Sequence, residues 1–147
     1  MTFYSKMDTK YKKFLVFLVV IVGLSCFFPF PFTNIEFDWI AFGILGGLFI
    51  ILSGMMIWSH TSIRYEFKED HLYIHGGIFR FDIPYNKITS LTRTNDYLTG
   101  MRVMSSSKGL AIYNSHSPFG EIKISPDPEE EFIQTLKKHA PQVQIRL

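Results

Sequence analysis

Ser105-Ser106-Ser107-Lys108 fits the Ser-x-x-Lys pattern of serine acyl enzymes. Such chemistry needs its serine at the start of a helix and further catalytic motifs downstream. Here the stretch runs through Gly109 into Leu110-Ala111-Ile112-Tyr113, a strand pattern, and neither Lys-Thr-Gly nor Ser-Asp-Asn occurs. His71 and His75 stand four apart, which is a metal spacing on a helix, where such residues stack. On a strand, at about 3.3 Å per residue, they would be roughly 13 Å apart and could not share one ion. His116 and His139 have no identifiable partner, and Cys26 is the only cysteine. A disulfide framework within one chain is excluded. Gly76-Gly77 reads as a hairpin turn and not as a phosphate-cradling loop. No catalytic, cofactor-binding or metal-ligating residue is therefore assigned, no cofactor is expected, and the chain is not expected to be an enzyme.

The elements that would carry these residues fall into two halves of different texture. Phe14 to Phe32 and Trp39 to Trp58 are both free of charge. Each run holds about 20 residues, which at about 1.5 Å per residue matches the roughly 30 Å hydrocarbon layer. The spacing predicts a transmembrane helical hairpin over residues 14–60. Pro29 and Pro31 would end its first helix. Thr33 to Asp38 would leave the membrane with Glu36 and Asp38 in water, and the flanking phenylalanines and Trp39 suit the membrane–water boundary. Gly23-Leu24-Ser25-Cys26 resembles a lipoprotein cleavage box. It is a poor one, with Gly23 where a bulky aliphatic residue belongs and an oily stretch beyond the cysteine, so an uncut helix is expected.

Lys6, Lys10, Lys12 and Lys13 precede the first run, Arg64 and Lys68 follow the second, and the short loop holds only acids. The positive-inside rule then puts both termini in the cytoplasm of a multi-pass membrane protein, with residues 1–13 as a cytoplasmic segment. Gly43 and Gly47 form a GxxxG, with Gly54 on a similar face. Small residues let helices approach closely in lipid. Packing against the first helix of the hairpin is the favoured use, and a homodimer through Gly43 and Gly47 is the alternative.

Residues 61–147 read as a cytoplasmic antiparallel β domain with a closing helix. Ile63, Tyr65 and Phe67 alternate with Arg64, Glu66 and Lys68, and a turn at Glu69-Asp70 leads to Leu72 and Ile74. Past the Gly76-Gly77 turn, Phe79, Phe81 and Ile83 form the next apolar face. Residues 86–94, 101–107, 110–114 and 121–125 complete about seven strands, spaced as in a sandwich or small barrel. Asp127 and Glu130 resemble a capping box, with Pro128 at the first helical position. Glu129 to Glu131 and Lys137 to His139 suit the two ends of the helix dipole. Phe132, Ile133, Leu136 and Ala140 form its apolar stripe, and residues 142–147 would add a short strand or fray. The domain holds 11 Lys/Arg and 10 Asp/Glu with no basic–aromatic cluster, which argues against a nucleic-acid partner.

Tyr65-Glu66-Phe67, Leu72-Tyr73-Ile74, Ile83-Pro84-Tyr85 with Ile88, Leu110-Ala111-Ile112-Tyr113, Ile124-Ser125-Pro126 and Phe132-Ile133 with Leu136 together carry a family likeness. This pattern resembles the bacterial pleckstrin-homology-like domain of small membrane proteins of the YyaB type, over about 80 residues. It is distantly similar to the immunity protein against the antimicrobial peptide sublancin. The resemblance implies a bent seven-stranded antiparallel sheet or barrel closed by a C-terminal helix. It also implies a non-catalytic binding or scaffold module at the inner face of the bilayer, with an unknown protein or peptide partner. Immunity to an antimicrobial peptide, or a regulatory-subunit role in a membrane complex, are the alternatives. Inositide-binding relatives use a basic first hairpin, whereas Lys68-Glu69-Asp70-His71 carries two acids that repel a phosphorylated headgroup. Whichever of Arg64, Arg80, Arg93, Arg102 and Lys108 face the membrane could touch headgroups.

Overall fold

A computed structural model describes residues 1–28, 30, 38–96 and 98–147. The expectations placed on Pro29, Pro31, Phe32 and the loop from Thr33 through Glu36 lie outside the described residues. The elements are β1 (Thr2–Ser5), α1 (Thr9–Phe27), α2 (Trp39–Thr61), β2 (Arg64–Phe67), β3 (His71–Gly76), β4 (Phe79–Pro84) and a 3-10 turn at Tyr85–Lys87. They continue with β5 (Ile88–Thr94), β6 (Arg102–Val103), β7 (Gly109–Asn114), β8 (Glu121–Ile124), β9 (Pro126–Asp127), α3 (Glu129–His139) and β10 (Gln144–Arg146).

Trp39–Thr61 is long and apolar enough to cross a membrane, and among the described residues it is one such helix where two were expected. The reason lies at the start of α1. Its 19 residues take in Lys10, Lys12 and Lys13, and only Phe14 to Phe27 of it are uncharged. Asp8 caps α1 by accepting from the Tyr11 amide at 2.7 Å, and Asp38 caps α2 through the Ile40 and Ala41 amides at 2.9 and 3.1 Å. Side-chain caps of this kind satisfy amides that have no partner in the first turn. The two helices meet through Phe27, whose ring lies 5.3 Å from Phe42 and 5.9 Å from Phe49. Gly23 gives Phe49 its room, since a Cβ there would stand 3.3 Å from the ring. The favoured use of Gly43 and Gly47 is corrected: among the described residues a Cβ at either would meet nothing within 4 Å, so neither packs against α1.

The β domain is two five-stranded sheets, ordered β4-β3-β2-β1-β9 and β10-β5-β7-β8-β6, and they do not close into a barrel. Two pairings are parallel, β10 with β5 and β6 with β8, where an antiparallel sheet was expected. The larger correction is β1. Thr2–Ser5, read as part of the segment preceding the first helix, pairs with β2 on one side and β9 on the other. A four-residue strand is short enough to escape notice by periodicity, yet Phe3 is buried at 3% exposure.

The apolar alternation places the core. Tyr65, Leu72, Ile74, Ile83, Leu91, Leu110, Ile112, Ile122 and Ile124 are fully enclosed between the sheets. Phe132 of α3 seats its ring 5.4 Å from Phe3 and 5.0 Å from Phe67, and Leu136 and Ala140 are buried beside it. The acids and bases at the ends of α3 stand as expected, but Asp127 does not cap it; the cap position is Pro128, without a side-chain bond. Backbone pairing of Asp127 with Tyr4 draws that residue into the sheet instead. Phe79 is also displaced from its expected inward position, at 50% exposure, because β4 is a sheet edge whose start extends beyond the core.

Candidate functional site at the junction of helices and sheets

The helices and the β domain meet through a polar seam that local sequence did not reveal. Ser105 Oγ donates to the His60 carbonyl at 2.8 Å, and the Ser105 amide lies within reach of Ser5 Oγ and Ser125 Oγ at 3.1 and 3.2 Å. Ser5 and Ser125 share a hydroxyl bond of 2.7 Å. Asp8 Oδ2 accepts from the Ser107 amide at 2.8 Å, from Ser107 Oγ at 2.5 Å and from Ser106 Oγ at 3.0 Å. Burial alone would raise the Asp8 pKa. The donors from Ser107, Tyr11 and Ser106 outweigh it and hold the carboxyl at about 2. Tyr65 completes the seam: its hydroxyl donates to the Val103 carbonyl at 2.6 Å and accepts the Ser125 amide at 3.0 Å. Burial pushes this phenol up to about 12. The serines of the Ser-x-x-Lys stretch thus fasten the start of α1 to the sheets, and Ser125 of Ile-Ser-Pro does the same from β8–β9.

Beside this seam lies a groove of about 330 Å³, lined by Tyr11 of α1, Ser59 and His60 of α2, and Gly76, Phe79, Met101 and Arg102 of the β domain. Two turns bring these together. Gly77, at φ 57°, lets the β3–β4 turn lie directly on the last turn of α2, where a Cβ would stand 2.8 Å from the Ser59 backbone. Ile78 and Phe79 follow this turn at 68% and 50% exposure, and Phe79 lines the groove with Ser59 and His60 of α2. The loop after β5 is tied by Asp96, which accepts from the Leu98 and Thr99 amides, and by buried Lys123, which donates to Asp96 at 2.8 Å and to the Thr99 carbonyl at 2.9 Å. Lys123 bonding is the first cause that lowers the Asp96 pKa.

Arg102 Nη1 is buried in this junction and has no hydrogen-bond partner among the described residues. Of the other cations named from sequence, Arg64 pairs with Glu66 at 3.2 Å and Arg93 with Glu129 at 3.1 Å. Arg80 lies on β4, facing His116 across a separate hollow, and Lys108 lines another with Lys6. The histidines are dispersed: His71 contacts Asp70 at 2.5 Å and Asp82 at 3.4 Å, and His75 lies 3.2 Å from the Ser62 carbonyl. His139 stacks against Tyr85 and Phe67, centroids 5.2 and 5.4 Å away. The acidic Glu69-Asp70 turn is at the far end of β2, so the strand's length separates it from α2.

Two packed sheets closed by a C-terminal helix, joined to an apolar helix, define a pleckstrin-homology-like module with a membrane-type appendage. A family model described as bacterial PH domain matches residues 63–140, and the chain belongs to that family. It is 32% identical over 139 residues to the uncharacterized protein YyaB of Bacillus subtilis (strain 168), covering 94% of this chain and 92% of that one. No solved structure matches.

Proposed function

We propose that the protein is a non-catalytic binding or scaffold module held by a helical hairpin at the cytoplasmic face of a bacterial membrane. The observation that carries this reading is the pairing of β1 with β2 across the helices. Residues 5 and 64 lie on one side of any bilayer, so the chain between them crosses it an even number of times. If α2 crosses, the segment containing α1 must cross too. Lys12 and Lys13 would extend their stems toward the headgroups, which lengthens the usable apolar part of α1. Outward-facing Val16, Phe17, Val20, Ile44, Ile50 and Ile51 are exposed and call for lipid to cover them. Lysines on the domain side favour the cytoplasm.

The partner would be an extended protein or peptide segment added at the open edge of β4, whose backbone groups are unpaired on one side. Photo-crosslinking from Arg80 or Asp82 in native membranes should capture one discrete partner, and crosslinks only to lipid or to nothing would oppose this use. A carboxyl-terminal reporter active only outside the cell would reverse the topology. Immunity to an antimicrobial peptide predicts that deletion sensitises a strain to such a peptide, and a regulatory subunit predicts co-purification with one complex in mild detergent. A homodimer through Gly43 and Gly47 is a second reading, favoured because neither glycine is used against α1. Cysteines at these two positions should crosslink between copies in membranes.

A further inference from the structure

We infer that the open edge of β4 receives an extended segment in antiparallel register, in which a large apolar side chain is followed by an acid. This rests on the β4-edge reading above and names the chemistry of its partner. The turn between β3 and β4 holds two residues, Gly77 and Ile78, with Gly77 at φ 57°. In such a hairpin the flanking pair, Gly76 and Phe79, exchanges both ladder bonds, and bonded and non-bonded pairs alternate from there. Phe81 and Ile83 therefore bond β3, and the N–H and C=O groups of Arg80 and Asp82 point to the open side. Pro84, which has no N–H, ends the usable edge. The pairings of this sheet are antiparallel, and an added strand continues that pattern.

The side chains along this edge set what the segment carries. Beside it lies a hollow of about 360 Å³, lined by Phe81 and Ile83 of β4 and by Pro118 and Ile122 from the β7–β8 side. The residue placed opposite Phe81 shares its inward face, so an apolar side chain there enters the hollow. The next residue of the segment stands opposite Arg80 on the exposed face. Arg80 pairs with no acid among the described residues, whereas Asp82 already lies 3.4 Å from His71 Nε2. An acid is the complement of that unmatched cation, and opposite charges facing each other across two strands stabilise the pairing. A second copy of this chain offers the same charges, since two antiparallel β4 strands can set Arg80 against Asp82. Its Phe81, however, is packed on its own core and is not free to fill the hollow, so a separate segment is the occupant.

The test uses the full chain in lipid nanodiscs and a fluorescent peptide, Thr-Val-Thr-Leu-Glu-Val-Thr, raised to millimolar concentration and read by anisotropy and by hydrogen exchange. The peptide should bind and should slow exchange at the Arg80 and Asp82 amides. Changing its glutamate to lysine should weaken binding about fivefold, the size of one exposed charge pair lost and one repulsion gained. Changing its leucine to glycine should weaken binding as well. Arg80→Gln should abolish the preference between the two charged peptides, and Arg80→Glu should reverse it, each at an unaltered melting temperature. Equal binding of the two peptides to wild type, a preference that survives Arg80→Gln, or slowed exchange confined to other amides overturns the inference. The β4-edge reading is tested separately by photo-crosslinking from Asp82 in native membranes. Capture of a protein whose touching segment lacks an apolar–acid pair overturns the inference and keeps that reading. Capture of a second copy alone overturns the separate segment in favour of self-pairing, and capture of lipid or of nothing overturns both.

Discussion

Replacing Phe3 by alanine tests whether β1 is an integral strand. The ring is 3% exposed and stands edge-on to Phe67 at 5.8 Å and to Phe132 at 5.4 Å. A phenylalanine buries about 150–250 Å². At about 25 cal/mol per Å² this gives about 4–6 kcal/mol as an upper bound, and measured truncations of this kind cost about 3–5 kcal/mol. Phe67 and Phe132 can lean into part of the space, so about 3–4 kcal/mol is expected. Hydrogen exchange in lipid nanodiscs reads this directly at the Leu72, Ile74 and Leu91 amides, which should exchange roughly two to three orders of magnitude faster if they open globally. Tyr4, on the opposite face of the same strand and 66% exposed, is the control; Tyr4→Ala should change stability by no more than about 0.5 kcal/mol. A Phe3→Ala loss below about 1 kcal/mol would show that the strand is an ornament on the sheet and not part of its core.

Tyr65→Phe should cost about 2–4 kcal/mol by denaturant titration, because the Val103 carbonyl and Ser125 amide both lose their partner in a dry interior. Asp8 supplies a pH test. Its folded pKa of about 2 lies below the usual 3.8, so its contribution is complete above pH 4 and disappears as pH falls through 2. Solvent screening holds that contribution to about 1 kcal/mol, and Asp8→Asn should flatten thermal stability across this window. Exchanging Glu69 and Asp70 for lysines should leave binding to anionic vesicles unchanged, since the turn points away from α2; stronger binding in a flotation assay would place it at the lipid.

Much of the fold was legible because alternation and burial coincide. Tyr65, Leu72, Ile74, Ile112 and Ile122 fall inward as period-two residues should. Phe79 did not, because periodicity says which face a side chain takes and not whether the core extends that far. β1 and β9 were obscure for another reason, while β10 fell where a short terminal strand was one of two expectations: strands of two to four residues carry too little pattern, and their pairing is set by partners distant in the chain. The junction was hidden in the same way. Asp8 and Ser107 are 99 positions apart, and Ser5 and Ser125 are 120 apart. The Ile-Pro-Tyr and Ile-Ser-Pro motifs turn out to be joinery: Tyr85 Oη donates to the Lys68 carbonyl at 2.8 Å, and Ser125 links three segments. Arg102 was one of five exposed-looking cations in sequence, and only the closing of the groove sets it apart.

The placement of Thr2–Ser5 between β2 and β9 governs the order of manufacture. These residues are made before either apolar stretch, but their neighbours, near residues 65 and 126, are made only after both. The first strand therefore waits unpaired until the strands on either side of it have been made. On the proposed anchored reading, a chain in which one of the two crossings failed would leave the first strand stranded across the bilayer from its slot, so that complete threading becomes a precondition for a finished protein.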